Sequence, residues 1–135
     1  MFDTSKAFSS FAVPDTAAAK AFYSETLGVR VTAEGDILGL HPTDERSIMV
    51  YPKVDHAPAT YTVLNFKVDD IEAAVDALAE RGVDVTRYAG TATDTDTDEK
   101  GIFRVGDLAQ AWFTDPAGNI LSVLQPAGAD RRATT

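Results

Sequence analysis

Two histidines, His41 and His56, are the side chains that ordinarily change charge near neutral pH, and either could act as general base or metal ligand. They belong to different elements: His41 ends a predicted strand and His56 sits in the proline-containing connector Pro52–Pro58, where solvent exposure is expected. No i,i+2 or i,i+4 relation makes them a chelating pair. A serine nucleophile would have to be Ser10 or Ser122 beside His41, yet no Gly-x-Ser-x-Gly elbow surrounds either. The run from Gly101 to Gly106 is no phosphate loop, because no helix follows to supply amide N–H groups. Asp69-Asp70 looks like a carboxylate pair, but a helix-capping role accounts for it. Arg104, flanked by Phe103 and Val105, could clamp an anionic group or simply offset nearby acid. Trp112 could stack on a planar ligand; in a core it would need a partner for its indole N–H. Asn65 and Lys67 are polar in an otherwise apolar run, which suits a pocket with a few orienting groups.

These residues are carried by a repeat. The segment from Phe8 to Asp15 matches that from Val63 to Asp70 at an offset of 55, and each is followed by an alanine-rich amphipathic stretch. In the second stretch, Ile71, Ala74, Val75 and Leu78 form one apolar stripe, with Asp69 as N-cap, Glu72 completing a capping box and Gly82 as the stop. The first uses Asp15 as cap and Gly28 as stop, with Ala18, Phe22 and Leu27 on its apolar face. Strands are predicted over Val29–Glu34, Ile37–His41 and Ser47–Tyr51 in the first half. The second half offers Asp84–Ala89, Gln110–Thr114 and Ile120–Gln125. Asp115-Pro116-Ala117-Gly118 has the residues of a type I turn.

Each half therefore reads as βαβββ, and two copies side by side form one curved mixed sheet with both helices outside and a concave pocket. Strand alternation sends Phe11, Val13, Phe66 and Val68 to the helix-packed face, leaving Phe8, Ser10, Val63, Asn65 and Lys67 on the concave one. The polar segment Thr91–Glu99 lacks the glycine and closing glutamate of a calcium loop and is expected to be a mobile loop; the tail 127–135 is expected to fray.

Composition narrows the classes. Twelve Lys+Arg against 21 Asp+Glu give a net charge of −9, which disfavours nucleic acid or an anionic membrane as partner. A chain of 135 residues, 44% hydrophobic, can bury roughly two-thirds of its unfolded surface, enough for a core without staples. There is no cysteine, hence no disulfide, thiol nucleophile or iron–sulfur cluster. No transmembrane run is present, and Met1-Phe2-Asp3-Thr4 lacks a basic leader, so a cytoplasmic location is expected.

The order and spacing of these motifs, namely Val13-Pro14-Asp15, Phe22-Tyr23, Leu27-Gly28, Phe66 to Asp70, Arg81-Gly82-Val83 and the run Ala111 to Gln125, resemble the vicinal oxygen chelate superfamily. That superfamily includes glyoxalase I, extradiol dioxygenases and bleomycin-resistance proteins. The resemblance covers about Ala7 to Gln125 and implies an α+β fold of two βαβββ modules, residues 6–60 and 61–126 of one domain, and a homodimer. Metal-using members place His or carboxylate ligands on the first and last strands of each half, positions that map here onto Phe8, Ile48 (or Val50 in a shifted register), Val63 and Ser122. None but the serine can donate to a metal, so no cofactor is expected. The candidate pocket residues are Phe8, Ser10, His41, Ile48, Val63, Asn65, Arg104, Trp112 and Ser122. The resemblance implies a metal-free binder of a small organic ligand, with sequestration suggested by the bleomycin-resistance branch. The alternatives are a metal-dependent lyase, isomerase or dioxygenase resembling glyoxalase I, with a non-standard site at His41, or a partner-docking scaffold.

Overall fold

A computed structural model describes residues 1–85 and 97–127 of the chain. The elements run β1 (Ser9–Val13), α1 (Thr16–Ala21), β2 (Arg30–Glu34), β3 (Ile37–Thr43), β4 (Arg46–Pro52), β5 (Thr62–Lys67), α2 (Ile71–Glu80), β6 (Phe103–Val105), β7 (Leu108–Thr114) and β8 (Ile120–Gln125). The strands form two four-stranded mixed sheets, ordered β1-β4-β3-β2 and β5-β8-β7-β6, in which β1 lies parallel to β4 and β5 parallel to β8. The fold is α+β, each half has βαβββ composition, and neither sheet closes into a barrel. Two compact units result: Met1–Pro58 with the turn Asp115–Gly118, and the rest of the described chain from Ala59.

In the first unit the Asp15 carboxylate accepts from the amides of Ala17 and Ala18 at 3.0 and 3.2 Å, satisfying donors that a helix start leaves unpaired. The helix then widens into one π turn, Phe22–Thr26, before Gly28 turns the chain at φ 75°. The deepest positions are Ala19 and Tyr23, with Ala18, Phe22 and Leu27 only half-buried, so the apolar face is rotated one residue from expectation. Tyr23 sets that rotation. It packs among Phe11 and Phe22 and donates its hydroxyl to Asp115 Oδ2 at 2.7 Å. Burial, reinforced by the adjacent carboxylate, pushes the Tyr23 hydroxyl well above the ordinary tyrosine range. The predicted turn is present: Ala117 N–H donates to Asp115 Oδ1 at 2.9 Å, and Gly118 N–H reaches the Asp115 carbonyl at 3.0 Å.

In the second unit Ile71, Val75 and Leu78 are buried, as the stripe requires, while Ala74 is half-buried at its edge. The N-cap, however, is Asp70 rather than Asp69. Asp70 is the extended residue whose carboxylate accepts from Ala73 N–H at 3.1 Å, and Gln125 Oε1 takes the Ile71 amide at 2.9 Å. With the cap one residue later, Glu72 closes no capping box and pairs instead with Lys100 and Arg104. The C-terminus is a Schellman motif: Val83 N–H reaches the Leu78 carbonyl, Gly82 N–H reaches that of Ala79, and Gly82 adopts φ 80°.

The predicted strand Asp84–Ala89 does not begin at Asp84 or Val85, and its remainder lies outside the described residues. The strand at this place in the sheet is β6, joined to β7 by the two-residue loop Gly106-Asp107. The same device, Gly35-Asp36, joins β2 to β3. In both loops the glycine holds a positive φ at the first position, as a type II′ hairpin needs. Of the segment Thr91–Glu99, residues 91–96 lie outside the described region. The Asp98 carboxylate accepts from the Lys100 and Ile102 amides, each at 2.9 Å. The tail beyond residue 127 also lies outside it. No helix among the described residues is long and apolar enough to cross a membrane.

Candidate functional site

Each sheet has one face packed against its helix and one face that is not. In the first unit, pairing puts Phe11, Leu38 and Val50 on the helix side, in line with one another across β1, β4 and β3. On the other face Ser10 stands opposite Met49, and Met49 opposite Gly39. An open concavity of about 550 Å³ lies there, lined by Phe8, Thr32, Ile37, Gly39, His41, Ser47, Ile48 and Met49 among others. Phe8 and Ile37 are 61% and 46% exposed, high for large apolar side chains.

His41 lies inside β3, which runs two residues further than predicted, and its Nε2 sits 2.8 Å from Thr32 Oγ1. A Cβ on Gly39 would come within 2.9 Å of both those atoms, so the missing side chain is what lets the imidazole and the hydroxyl meet over the strand. His56 is half-buried rather than exposed. Its Nε2 is shielded from solvent without a hydrogen-bond partner among the described residues, and its backbone N–H is tied to the Lys53 carbonyl at 3.0 Å.

In the second unit the same side of the sheet carries a polar and aromatic cluster. Asn65 stands opposite Ser122, and Ser122 opposite Trp112. Ser122 is fully buried; its hydroxyl donates to Asn65 Oδ1 and accepts from Gln110 Nε2 at 3.1 Å. Gln110 Nε2 also lies 3.4 Å from Asn65 Oδ1. The Trp112 indole N–H donates to Thr62 Oγ1 at 3.1 Å, and its ring lies 6.2 Å from that of Phe103. A register shift between Thr62 and Leu64 makes Val63 the extra residue of a β-bulge, so Thr62 rather than Val63 is paired across from Ile120 on this face.

The structure thus brings Asn65, Trp112 and Ser122 together, and separately Phe8, His41 and Ile48. Register shows Met49, not Ile48, as the counterpart of Ser122: Met49 stands opposite Ser10 as Ser122 stands opposite Asn65. Ile48 falls in line with Leu40 on the helix side, though it still contributes to the rim of the concavity. Ser10 is exposed, paired to Met49. Arg104 does not join the second cluster. It pairs with Ala109 on the helix side of the sheet, and its guanidinium lies 3.3 Å from Glu72 and 3.9 Å from Asp98. Gln110, Thr62, Phe103, Thr32 and Gly39 were not singled out from sequence. The Gly106-Asp107 hairpin signal would have supplied β6, and with it Phe103 and the facing Gln110.

Among the described residues no three His, Cys, Asp or Glu side chains group so as to hold a metal ion. At the positions that the resemblance implies for metal ligands, Phe8, Ile48 and Val63 offer no N or O donor, and neither does Met49. The Ser122 hydroxyl is already taken by two amides, so these residues do not fit a divalent ion.

A profile for the Glyoxalase/Bleomycin resistance protein/Dioxygenase superfamily matches residues 7–123. Among curated proteins no relative matches. Solved structures similar to the chain include TnmS3, an antibiotic binding protein from Streptomyces sp. CB03234, at 27% identity, covering 93% of this chain and 99% of that one with a TM-score of 0.62. A glyoxalase/bleomycin resistance protein from Streptomyces sp. CB03234 is 28% identical, covering 88% of this chain and all of the other (100%), with a TM-score of 0.57. The fosfomycin resistance protein FosX of Listeria monocytogenes, at 11% identity, shares the fold over 93% of this chain and 95% of its own, with a TM-score of 0.64.

Proposed function

The chain belongs to the Glyoxalase/Bleomycin resistance protein/Dioxygenase superfamily, and within it we propose a metal-free protein that binds and sequesters a small organic molecule. The observation that carries this reading is the state of Ser122. The one inherited ligand position that still bears an oxygen is fully buried and hydrogen-bonded between Asn65 and Gln110. What surrounds it is suited to holding an organic group: a half-buried tryptophan, a second aromatic ring and side-chain amides. In the first unit, the exposed Phe8 and Ile37 line a concavity whose polar groups are the His41–Thr32 pair, Ser47 and Glu34. Similarity to an antibiotic binding protein supports an antibiotic-like ligand, and the net charge of −9 favours a cationic one by steering. A homodimer completes the proposal, on resemblance.

The test has two arms. Protein purified without an affinity tag is analysed for metals, and a thermal-shift screen covers aromatic antibiotics and other small molecules. The reading expects substoichiometric metal and at least one stabilising compound recovered chemically unchanged. Stoichiometric Ni, Zn, Fe or Mn lost on His41→Ala would overturn the metal-free reading and favour the metal-dependent alternative. A monomer by sedimentation at micromolar concentration would remove the dimer alone.

A further inference from the structure

The sequence contains only four side-chain carboxamides, Asn65, Gln110, Asn119 and Gln125. Gln125 is occupied at the start of α2, where its Oε1 accepts from the Ile71 amide, and Asn119 is buried and bonded at the turn into β8. The other two face each other across Ser122, on the sheet face that carries Trp112 and Phe103.

Hydrogen-bond accounting around Ser122 leaves a definite remainder. Gln110 donates through its NH2 to the serine, and the serine donates to the Asn65 carbonyl oxygen. That uses the donor end of one amide and the acceptor end of the other. The Asn65 NH2 and the Gln110 carbonyl oxygen make no hydrogen bond among the described residues. Reversing the chain, with both amides flipped, exchanges the two roles and leaves the same sum: one amide donor and one amide acceptor. Asn65 is exposed and Gln110 half-buried, so both remaining groups lie near the surface of that face.

We infer that this face recognises a ligand edge offering one hydrogen-bond donor beside one acceptor, of the carboxamide type, attached to a flat ring lying along Trp112 and Phe103. The inference rests on the small-molecule-binding reading above and adds to it the chemistry of the ligand. A carboxamide satisfies both protein groups at once. An ester of the same shape leaves the protein's acceptor facing another acceptor, and a carboxylate does the same with added charge. Leaving one such group unpaired in a desolvated contact costs about tenfold or more in affinity.

The probes are naphthalene carboxamide, the corresponding methyl ester and the corresponding carboxylate, titrated calorimetrically into the full chain. The carboxamide is expected to bind at least about tenfold more tightly than either analogue, and Gln110→Leu or Asn65→Leu to reduce that preference to within about twofold. A measurement on the unaltered protein guards against variants that do not fold. With only four carboxamides, their 15N side-chain resonances are separable, and the carboxamide probe should shift those of Asn65 and Gln110 but not those of Asn119 and Gln125. Equal binding of the three probes overturns this inference and leaves the small-molecule reading intact. Failure of all three to bind, while another compound stabilises the protein in the thermal-shift screen, does the same. Failure of the probes and of the entire screen overturns both.

Discussion

Replacing Tyr23 by Phe removes a single oxygen from the largest fully buried side chain of the first unit. Its ring contacts stay, at 6.0 Å to Phe11 and 5.1 Å to Phe22, so no cavity of consequence opens. What is lost is the donor to Asp115 Oδ2, a carboxylate only 4% exposed. Because the acceptor is an acid that stays buried when its partner goes, the cost falls at the upper end for hydrogen bonds, about 2 kcal/mol. In a chain of this length that corresponds to a fall in Tm on the order of 6 °C. The same residue gives an alkaline signature. Its hydroxyl is held above the ordinary value of 10.0, so its contribution to stability is complete below that pH and is lost as pH rises further. Stability should then drop by about 1.4 kcal/mol per pH unit more steeply in the unaltered protein than in the Tyr23→Phe variant. Urea unfolding from neutral pH upward, with phenolate absorbance followed in parallel, measures both. A variant within about 0.3 kcal/mol of the parent, or the same alkaline slope in both proteins, would refute the reasoning.

Asp70→Ala should cost about 1 kcal/mol by leaving the Ala73 amide uncapped, whereas Asp69→Ala should change stability by less than about 0.5 kcal/mol; thermal unfolding of the two variants decides, and the reverse order would restore the earlier residue as cap. Gly39→Ala puts a methyl group where the His41–Thr32 pair now meets, so that hydrogen bond, about 1 kcal/mol, is exchanged for a comparable gain from a stiffer unfolded chain. Stability should therefore hardly move while the His41 ring resonances shift, and an unperturbed imidazole spectrum would show that the glycine is not what admits the pair.

Helices and sheet faces differ in how much of them is legible in the sequence, and the reason is local against non-local information. Helices carry their own record. The stripe Ile71, Val75 and Leu78 and the stop at Gly82 are fixed by contacts within a few residues, and both are where periodicity put them. The cap moved by one residue because two adjacent aspartates are equally able caps, and what separates them is Gln125, fifty-four positions away, holding the Ile71 amide. Sheet faces depend on such partners throughout. Alternation along β1 was sufficient to separate Phe11 and Val13 from Ser10, yet the counterpart of Ser122 in β4 was placed at Ile48 and is Met49, because a slip of one residue reverses a strand's faces and only the β1–β4 pairing fixes it.

The bulge at Val63 makes the same point in chemical terms. A strand read alone alternates without interruption, and Val63 would share the open face with Asn65. The extra residue instead lets Thr62 take the place opposite Ile120, and a threonine there supplies the oxygen that the Trp112 indole requires. Without that bulge the tryptophan would meet a valine and its N–H would need another partner. The bulge also bears on the proposed function. It secures the aromatic wall through Thr62, just as Ser122 secures the amides through Asn65 and Gln110. Two small hydroxyl residues, Thr62 and Ser122, therefore hold the larger side chains in place. In the proposed function these amides and rings are what hold the organic molecule.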